Sequence, residues 1–151
     1  NRTGVRTFEA AAYLRRCGAD ITRVRKMFRD DIESYRAKAE AVRMAEVYRS
    51  QYAIAQCPGD IESPTVLAAQ AANELLDISG IKASFVLTIY EGKIYMSARS
   101  IDEVNVQIIA EKLGGGGHIN SAGAQFDHTN MDEAIQTLKQ TIDQMIEEGD
   151  I

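Results

Sequence analysis

The stretch that decides the fold is residues 82–100, KASFVLTIYEGKIYMSARS, which contains two alternating runs of apolar and polar residues around a short turn. Alternation with a period of two predicts strands that have one apolar face. Glu91 and Gly92 fit a two-residue hairpin loop, although Asn-Gly or Asp-Gly would be a stronger signal. In that register Tyr90 lies opposite Lys93.

The register predicts a different role for each face of the hairpin. One face collects the apolar residues and is expected to form the core: Phe85, Leu87, Ile89, Ile94, Met96 and Ala98. Ser97 and Arg99 point to the other face at the C-terminal end of the strand, where α/β sheets tend to place ligands. The sequence SIDE, residues 100–103, predicts a capping box that starts an anion-favouring helix with Asn105 in its first turn.

The flanking sequence alternates strand and helix. YAIAQC, residues 52–57, predicts a strand, and Ser63 followed by Pro64 predicts the start of a helix that reaches about Leu76. Further elements are expected downstream: a helix from about Asp102 to Leu113, a short strand near 124–126 and a closing helix from Met131 to about Ile146. The sum is a small α/β domain with helices packed on a mixed sheet.

The N-terminal third reads as helical. A first helix is expected to stop at Gly18, with Asp20 capping the next one. A longer helix is expected from Asp31 to about Tyr48. One mostly apolar face of this helix is predicted to pack against another surface, and its residues are Ile32, Tyr35, Ala39, Val42 and Glu46. We therefore expect a helical linker over residues 1–50 and the α/β domain over residues 51–151.

Composition limits the function classes. The chain has 151 residues, 45% of them hydrophobic and 26% charged, as expected for one globular domain with an appendage. A net charge of -5 argues against long duplex nucleic acid as a partner but leaves a small anionic ligand open. Cys17 and Cys57 indicate neither a disulfide framework nor a zinc site, and a reducing compartment fits best. With no long apolar run or signal peptide, the chain is expected to be soluble and cytoplasmic, and its start at Asn1 suggests a piece of a longer protein.

Residues 114–118, GGGGH, form the second unusual stretch. Gly114 is well placed to cap the preceding helix, whereas the other three glycines could let backbone N–H groups approach a phosphate or a planar base. The small residues of SAGA, 121–124, would leave room for such a ligand. His118 could donate to a phosphate or stack on a base, and a structural role is the alternative. The pattern is neither a GxGxxG fingerprint nor a Walker loop.

These motifs carry a resemblance. GGGGHINSAGA resembles the GGGH signature of DHHA1 domains, the substrate-binding partners of DHH phosphoesterases, and SARSIDEVNVQIIAEKLGGGGH extends the likeness. RTGVRTFEAAAYLR resembles the stretch just after the DHH domain in GdpP-type cyclic di-AMP phosphodiesterases. The resemblance implies a membrane-anchored parent with PAS, degenerate GGDEF, DHH and DHHA1 regions. Its DHH domain would hold two manganese ions that activate water to open cyclic di-AMP into linear pApA.

The resemblance also implies which residues contact substrate. The matching positions are Arg99, Asn105, Gly115, Gly116, Gly117 and His118, with Ser97 and Ser100 as neighbours. The family's metal ligands have no match here, and we interpret Asp127-His128 as coincidence. No catalytic residue is therefore expected in this chain, which should be inactive alone and should work with a DHH domain of the same polypeptide.

Two alternatives to the cyclic di-AMP interpretation stay open. The parent could be a phosphoesterase of short oligonucleotides or pAp with the same domain pair, which tighter binding of a linear dinucleotide would support. The module could instead be a non-catalytic nucleic-acid-binding appendage, as similar domains are in alanyl-tRNA synthetases. A homodimer is also left open.

Overall fold

The computed structural model describes residues 4–101 and 103–151. The chain divides into two compact units, residues 1–32 and residues 33–151, and each is described by itself.

The first unit contains two helices, α1 (Val5–Arg16) and α2 (Ile21–Met27). Gly18 adopts a φ of 95°, and the Asp20 carboxylate accepts a hydrogen bond from the Thr22 N–H at 2.8 Å. The predicted helix stop and cap are therefore confirmed. Neither α1 nor α2 buries a residue, and their large apolar side chains are exposed, Met27 by 80%. These two helices form no hydrophobic core of their own.

The second unit is built on a mixed sheet. Within the described residues the sheet has six strands in the order β1-β2-β3-β4-β6-β5, in which β2 and β3 are parallel and the other neighbours antiparallel. The strands are β1 (Glu46–Tyr48), β2 (Tyr52–Cys57), β3 (Ala83–Tyr90), β4 (Lys93–Ser100), β5 (Gly116–His118) and β6 (Ser121–Phe126). The helices are α3 (Ile32–Arg43), α4 (Pro64–Leu76), α5 (Val106–Lys112) and α6 (Met131–Glu148). The predicted α/β class is confirmed.

Helices cover both faces of the sheet. On one face Phe85 and Leu87 of β3 are packed in a cluster with Ile109 of α5 and Leu138 of α6. On the other face a second cluster forms around α4: Ala53, Ala55, Leu67, Ala71, Leu75 and Val86. Because apolar side chains are buried on both faces of β3, the sheet is the middle of three layers.

The β3–β4 hairpin has the predicted register. Tyr90 pairs with Lys93, and the loop residues Glu91 and Gly92 both have positive φ, 49° and 75°, as a primed two-residue turn requires. Ile89 was expected in the core, but it is 49% exposed. The prediction is wrong there because β2 ends at Cys57, one residue short of Ile89, so this end of β3 has a strand on only one side.

The predicted end of the long helix is wrong. The helix expected to reach Tyr48 ends at Arg43, and residues 46–48 form β1 instead. Pairing with β2 overrides helical periodicity here, since Glu46 lies opposite Ile54. Of the predicted stripe, Ile32, Tyr35 and Ala39 are exposed, and Glu46 is exposed and lies in β1. The residues that α3 buries are Lys38 and Ala41.

The capping box expected at residues 100–103 does not form. Ser100 is the last residue of β4 and pairs with Ala83. The helix α5 begins at Val106, and the Asn105 side chain caps it by accepting from the Gln107 N–H at 3.0 Å. Asp102, the predicted helix start, lies outside the described residues. The ladder with β3 therefore takes Ser100 away from its predicted capping role.

The four glycines have different structural surroundings. Gly114, with φ of 80°, follows α5 as predicted, and its N–H donates to the Glu111 carbonyl at 3.0 Å. A Cβ on Gly115 would lie 2.6 Å from Ala124 Cα, and one on Gly117, whose φ is 151°, would lie 2.5 Å from Ala122 Cα. A Cβ on Gly116 would meet no atom within 4 Å. Only Gly116 of the last three therefore faces open space.

Alanine substitutions should separate these roles. Gly115→Ala and Gly117→Ala should each lower the free energy of unfolding by roughly 1–3 kcal/mol, because the new methyl group collides with β6 backbone and, at Gly117, the φ is unfavourable. Gly116→Ala should change it by less than about 0.5 kcal/mol. Urea denaturation measures all three. Equal losses at the three positions would contradict this assignment.

A polar cluster fixes β1 to α6. The Tyr48 hydroxyl donates to the Asp143 carboxylate at 2.8 Å, and Arg49 Nε donates to the same carboxylate at 2.9 Å. Lys139 Nζ lies 5.3 Å from the centroid of the Tyr48 ring, a cation–π distance. The hydrogen bonds from Arg49 and then Tyr48 lower the pKa of Asp143.

This cluster predicts an acid-dependent loss of stability. A carboxyl whose pKa is lower in the folded state contributes stability above its unfolded pKa and loses that contribution as pH falls through the folded pKa. Asp143→Asn should therefore destabilise the protein at about pH 7 and make its stability fall less steeply below about pH 4. Urea titrations at both pH values, with Glu147→Gln on the same helix as control, measure the effect. An unchanged pH dependence in Asp143→Asn would disprove it.

Candidate functional site

The pairing of β4, β6 and β5 places six small or polar residues side by side. Arg99 lies opposite Ser121, which lies opposite His118; Ser97 lies opposite Gly123, which lies opposite Gly116. We call these six residues the polar face: Ser97, Arg99, Gly116, His118, Ser121 and Gly123. Since neighbouring strands are about 4.8 Å apart, each row extends roughly 10 Å from β4 to β5.

The polar face is open at its outer strands. The reverse side of the sheet is covered by α5 and α6. On the side of the polar face, α4 packs over β3, where its Ala72 carbonyl accepts a hydrogen bond from Ser84 Oγ at 2.6 Å. Ser121 and His118 are exposed, and Ser97 is partly exposed. Apart from Arg99 and His118, the residues of the polar face are serine and glycine. We call them the floor, because none of their side chains is larger than a hydroxymethyl group.

Arg99 is the cation of this face. Its guanidinium is half-buried, and burial lowers the pKa of Arg99. Nη1 donates to the Ala98 carbonyl at 2.8 Å. Most basic residues of the second unit form ion pairs: Lys38, Arg43, Arg49, Lys82, Lys93, Lys112 and Lys139. Arg99 has no carboxylate partner among the described residues, which suits it to an incoming anion.

The structure brings some of the predicted site residues together and separates others. Arg99, Ser97, Gly116 and His118 share the polar face, whereas Ser100 is 7% exposed and donates from Oγ to the Ile119 carbonyl at 3.2 Å.

The remaining predicted residues lie close to the polar face. Asn105 uses its Oδ1 as a helix cap, and the next residue, Val106, donates from its N–H to the Ile119 carbonyl at 3.0 Å, beside His118. Gly115 and Gly117 allow β5 to lie close to β6.

Sequence reasoning did not name Ser121 and Gly123 as site residues. They enter the polar face through the pairing of β6 with β4 and β5, and the residues paired between β4 and β6 are more than twenty positions apart in the sequence. A Cβ on Gly123 would lie 2.9 Å from the Met96 carbonyl oxygen, so close strand packing explains the glycine itself. The available signal was the alternation of the SAGA stretch, in which Ser121 and Gly123 fall on one face.

A cavity of about 340 Å³ lies elsewhere, at the β1–β2 edge of the sheet. It is lined by Met44, Glu46, Ile54, Ala55, Gln56 and Ile135. The Glu46 carboxylate is already paired with Lys139 at 2.7 Å. The cavity has no unpaired charge for an ionic ligand, so the polar face is the better candidate.

Other reactive groups do not form a second site. Within residues 4–101 and 103–151 no group of three or more His, Cys, Asp or Glu side chains could hold a metal ion. Asp127 Oδ1 lies 3.3 Å from Lys93 Nζ. Cys57 is buried, and desolvation raises the pKa of its thiol to about 11.

Among the helices of residues 4–101 and 103–151, none has the length and apolar character needed to cross a membrane.

Comparison with known proteins shows relatives whose sequences are similar to that of this chain. The chain is 44% identical over 143 residues to the cyclic di-AMP phosphodiesterase PdeA of Listeria monocytogenes, with 94% of this chain and 22% of PdeA covered. It is 43% identical over 151 residues to the cyclic di-AMP phosphodiesterase GdpP of Bacillus subtilis, with 98% and 23% covered. The chain thus spans about a fifth of the length of these relatives.

A solved structure supports the fold. An exopolyphosphatase-related protein from Bacteroides fragilis superposes with a TM-score of 0.80 over 95% of this chain and 44% of that protein, at 20% identity. The family model of the DHHA1 domain matches residues 49–147, which are about two thirds of the chain. The chain therefore belongs to the DHHA1 domain family.

Proposed function

We propose that this chain is the C-terminal, substrate-binding part of a phosphodiesterase that opens cyclic di-AMP to linear pApA, and that the polar face binds the dinucleotide. Its similarity to PdeA and GdpP supports the substrate. The observation on which the proposal rests is Arg99, a half-buried guanidinium without a carboxylate partner among the described residues, beside a floor of glycine and serine.

The residue types fit a phosphodiester ligand. A guanidinium can donate two parallel hydrogen bonds to phosphate oxygens, and exposed serine hydroxyls can donate further ones. The proposed contacts are Arg99, Ser97 and His118, with Asn105, Ser100, Gly115 and the β5 residues Gly116 and Gly117 around them. Gly116 would let the sugar or base of the ligand lie directly against β5, because no Cβ intervenes.

The proposal places the hydrolytic chemistry outside this chain. In it, two manganese ions are held by a DHH domain of the full-length protein, and within the described residues no cluster of His, Cys, Asp or Glu could hold a metal ion. In this proposal residues 1–50 connect that domain to residues 51–151, and residues 46–48 of the connection also pair with β2 as strand β1. The exposed apolar side chains of α1 and α2 fit such a linker. The DHH domain and any membrane anchor lie in other parts of the full-length protein.

Removing the guanidinium should weaken binding. We expect Arg99→Ala in the full-length protein to reduce cyclic di-AMP affinity by about 1.5–3 kcal/mol, the usual worth of a charge-assisted hydrogen bond. Arg99→Lys should recover only part of the loss, because a point charge cannot reproduce a planar fork on two oxygens. Calorimetric titration measures the affinities, and Arg36→Ala, an exposed arginine of α3, is the matched control.

A second variant tests the floor without touching the charge. Gly116→Val should reduce binding more than Arg99→Ala, since its side chain would occupy the space above β5, where an added Cβ meets no atom within 4 Å. His118→Ala should give an intermediate loss. If Arg99→Ala and Gly116→Val are folded and bind cyclic di-AMP as the unmodified protein does, the polar face is not the binding site. Tighter binding of a linear dinucleotide would instead redirect the proposal to that substrate.

Activity gives a separate test. The 151-residue chain alone should show no hydrolysis of cyclic di-AMP with manganese present, whereas the full-length protein should. Chromatographic detection of pApA measures both reactions. Turnover by the isolated chain that disappears on adding a chelator would contradict the division of labour proposed here.

A further inference from the structure

The polar face continues toward the β3–β4 turn with a different set of side chains. Tyr95 of β4 lies two residues beyond Ser97 on the same face, and Gln125 of β6 lies opposite it. Both side chains are partly exposed. Tyr95 and Arg99 are four positions apart, which corresponds to about 13 Å along the strand. A ligand with its phosphate at Arg99 therefore has room to place a base at this end.

The tyrosine offers a stacking surface. Its ring lies 6.1 Å from that of Tyr90, centroid to centroid, with 58° between the planes, so the neighbouring ring supports it from one side. Stacking of a nucleobase on an aromatic side chain is largely independent of base identity. Tyr95 can therefore hold a base at this position but cannot select one.

The glutamine can select, because its orientation is fixed. Gln125 Nε2 donates to Asp127 Oδ1 at 2.9 Å, and Lys93 Nζ lies 3.3 Å from the same oxygen. The hydrogen bonds from Gln125 and then Lys93 lower the pKa of Asp127, which stays ionised near neutral pH. An ionised carboxylate accepts hydrogen bonds and donates none. The amide must therefore direct its NH₂ group toward Asp127 and its oxygen, Oε1, away from it.

An acceptor that meets the 6-position of a purine distinguishes adenine from guanine. Adenine carries a donor, the N6 amino group, where guanine carries an acceptor, O6. Oε1 can accept from the amino group of adenine, whereas it faces O6 of guanine with two acceptors and no proton between them. We propose that Gln125, positioned by Asp127, selects adenine over guanine for the base that stacks on Tyr95. This inference rests on the function proposed above.

The test compares two ligands of equal charge, cyclic di-AMP and cyclic di-GMP, in the full-length protein by calorimetric titration. The unmodified protein should prefer cyclic di-AMP. Gln125→Leu should reduce that preference about tenfold, by removing one hydrogen bond to the base. Gln125→Arg should shift it further toward cyclic di-GMP, because a guanidinium offers only donors, which match O6 and N7 of guanine.

Three further variants separate selection from general damage. Asp127→Asn should reduce the preference for cyclic di-AMP over cyclic di-GMP, because the Gln125 amide can then rotate and exchange its oxygen and NH₂ group. The circular dichroism spectrum should stay unchanged. Tyr95→Ala should weaken both ligands about equally and leave their ratio unchanged. Gln140→Leu, an exposed glutamine of α6, should change neither affinity.

Each outcome decides one of the two proposals. If the unmodified protein binds cyclic di-AMP and the ratio of affinities is unchanged in both Gln125 variants, the inference is wrong and the proposed function stands. If the unmodified protein binds no cyclic di-AMP, the proposed function fails, and the inference fails with it.

Discussion

The pairing of Tyr90 with Lys93 across the Glu91-Gly92 turn is the constraint on which the rest of the second unit depends. Side chains along a strand alternate between faces, so a slip of one residue would exchange the two faces of β4 completely. Met96 would then leave the core, and Arg99 would enter it. The turn therefore sets the core and the polar face together, and the positive φ of both loop residues keeps it in this register.

Two features of the polar face are energetically unfavourable and are not expected on an ordinary surface. A half-buried guanidinium without a carboxylate partner among the described residues is unfavourable, because burial removes water that is not replaced by an opposite charge. The glycine run is costly to order as well. Gly114, Gly115 and Gly117 have structural explanations, a helix end and close contact with β6, whereas Gly116 has only open space beside it. Such unexplained costs are expected where a protein binds a ligand.

Local signals in the sequence predicted the elements that local chemistry determines. The Ser63-Pro64 start and the end of α4 at Leu76, the β3–β4 register and the start of α6 at Met131 were all confirmed. The failures occur where long-range pairing competes with a local pattern. Ser100 pairs with Ala83 instead of capping a helix, and residues 46–48 pair with β2 instead of extending α3. The same limit applies to the site: the register predicted the face of Ser97 and Arg99, whereas Ser121 and Gly123 needed the pairing of β6.

The most direct test of the central claim, that the polar face is the ligand face, is a nitrogen–proton NMR titration of the isotope-labelled chain with cyclic di-AMP. If the claim holds, the backbone amides that shift should cluster on β4, β6 and β5: Ser97, Arg99, Gly116, His118, Ser121 and Gly123. Amides of α6, which packs on the reverse side of the sheet, should stay in place. Shifts that map instead to the cavity lined by Met44 and Ile135, or that spread evenly over the chain, would contradict it.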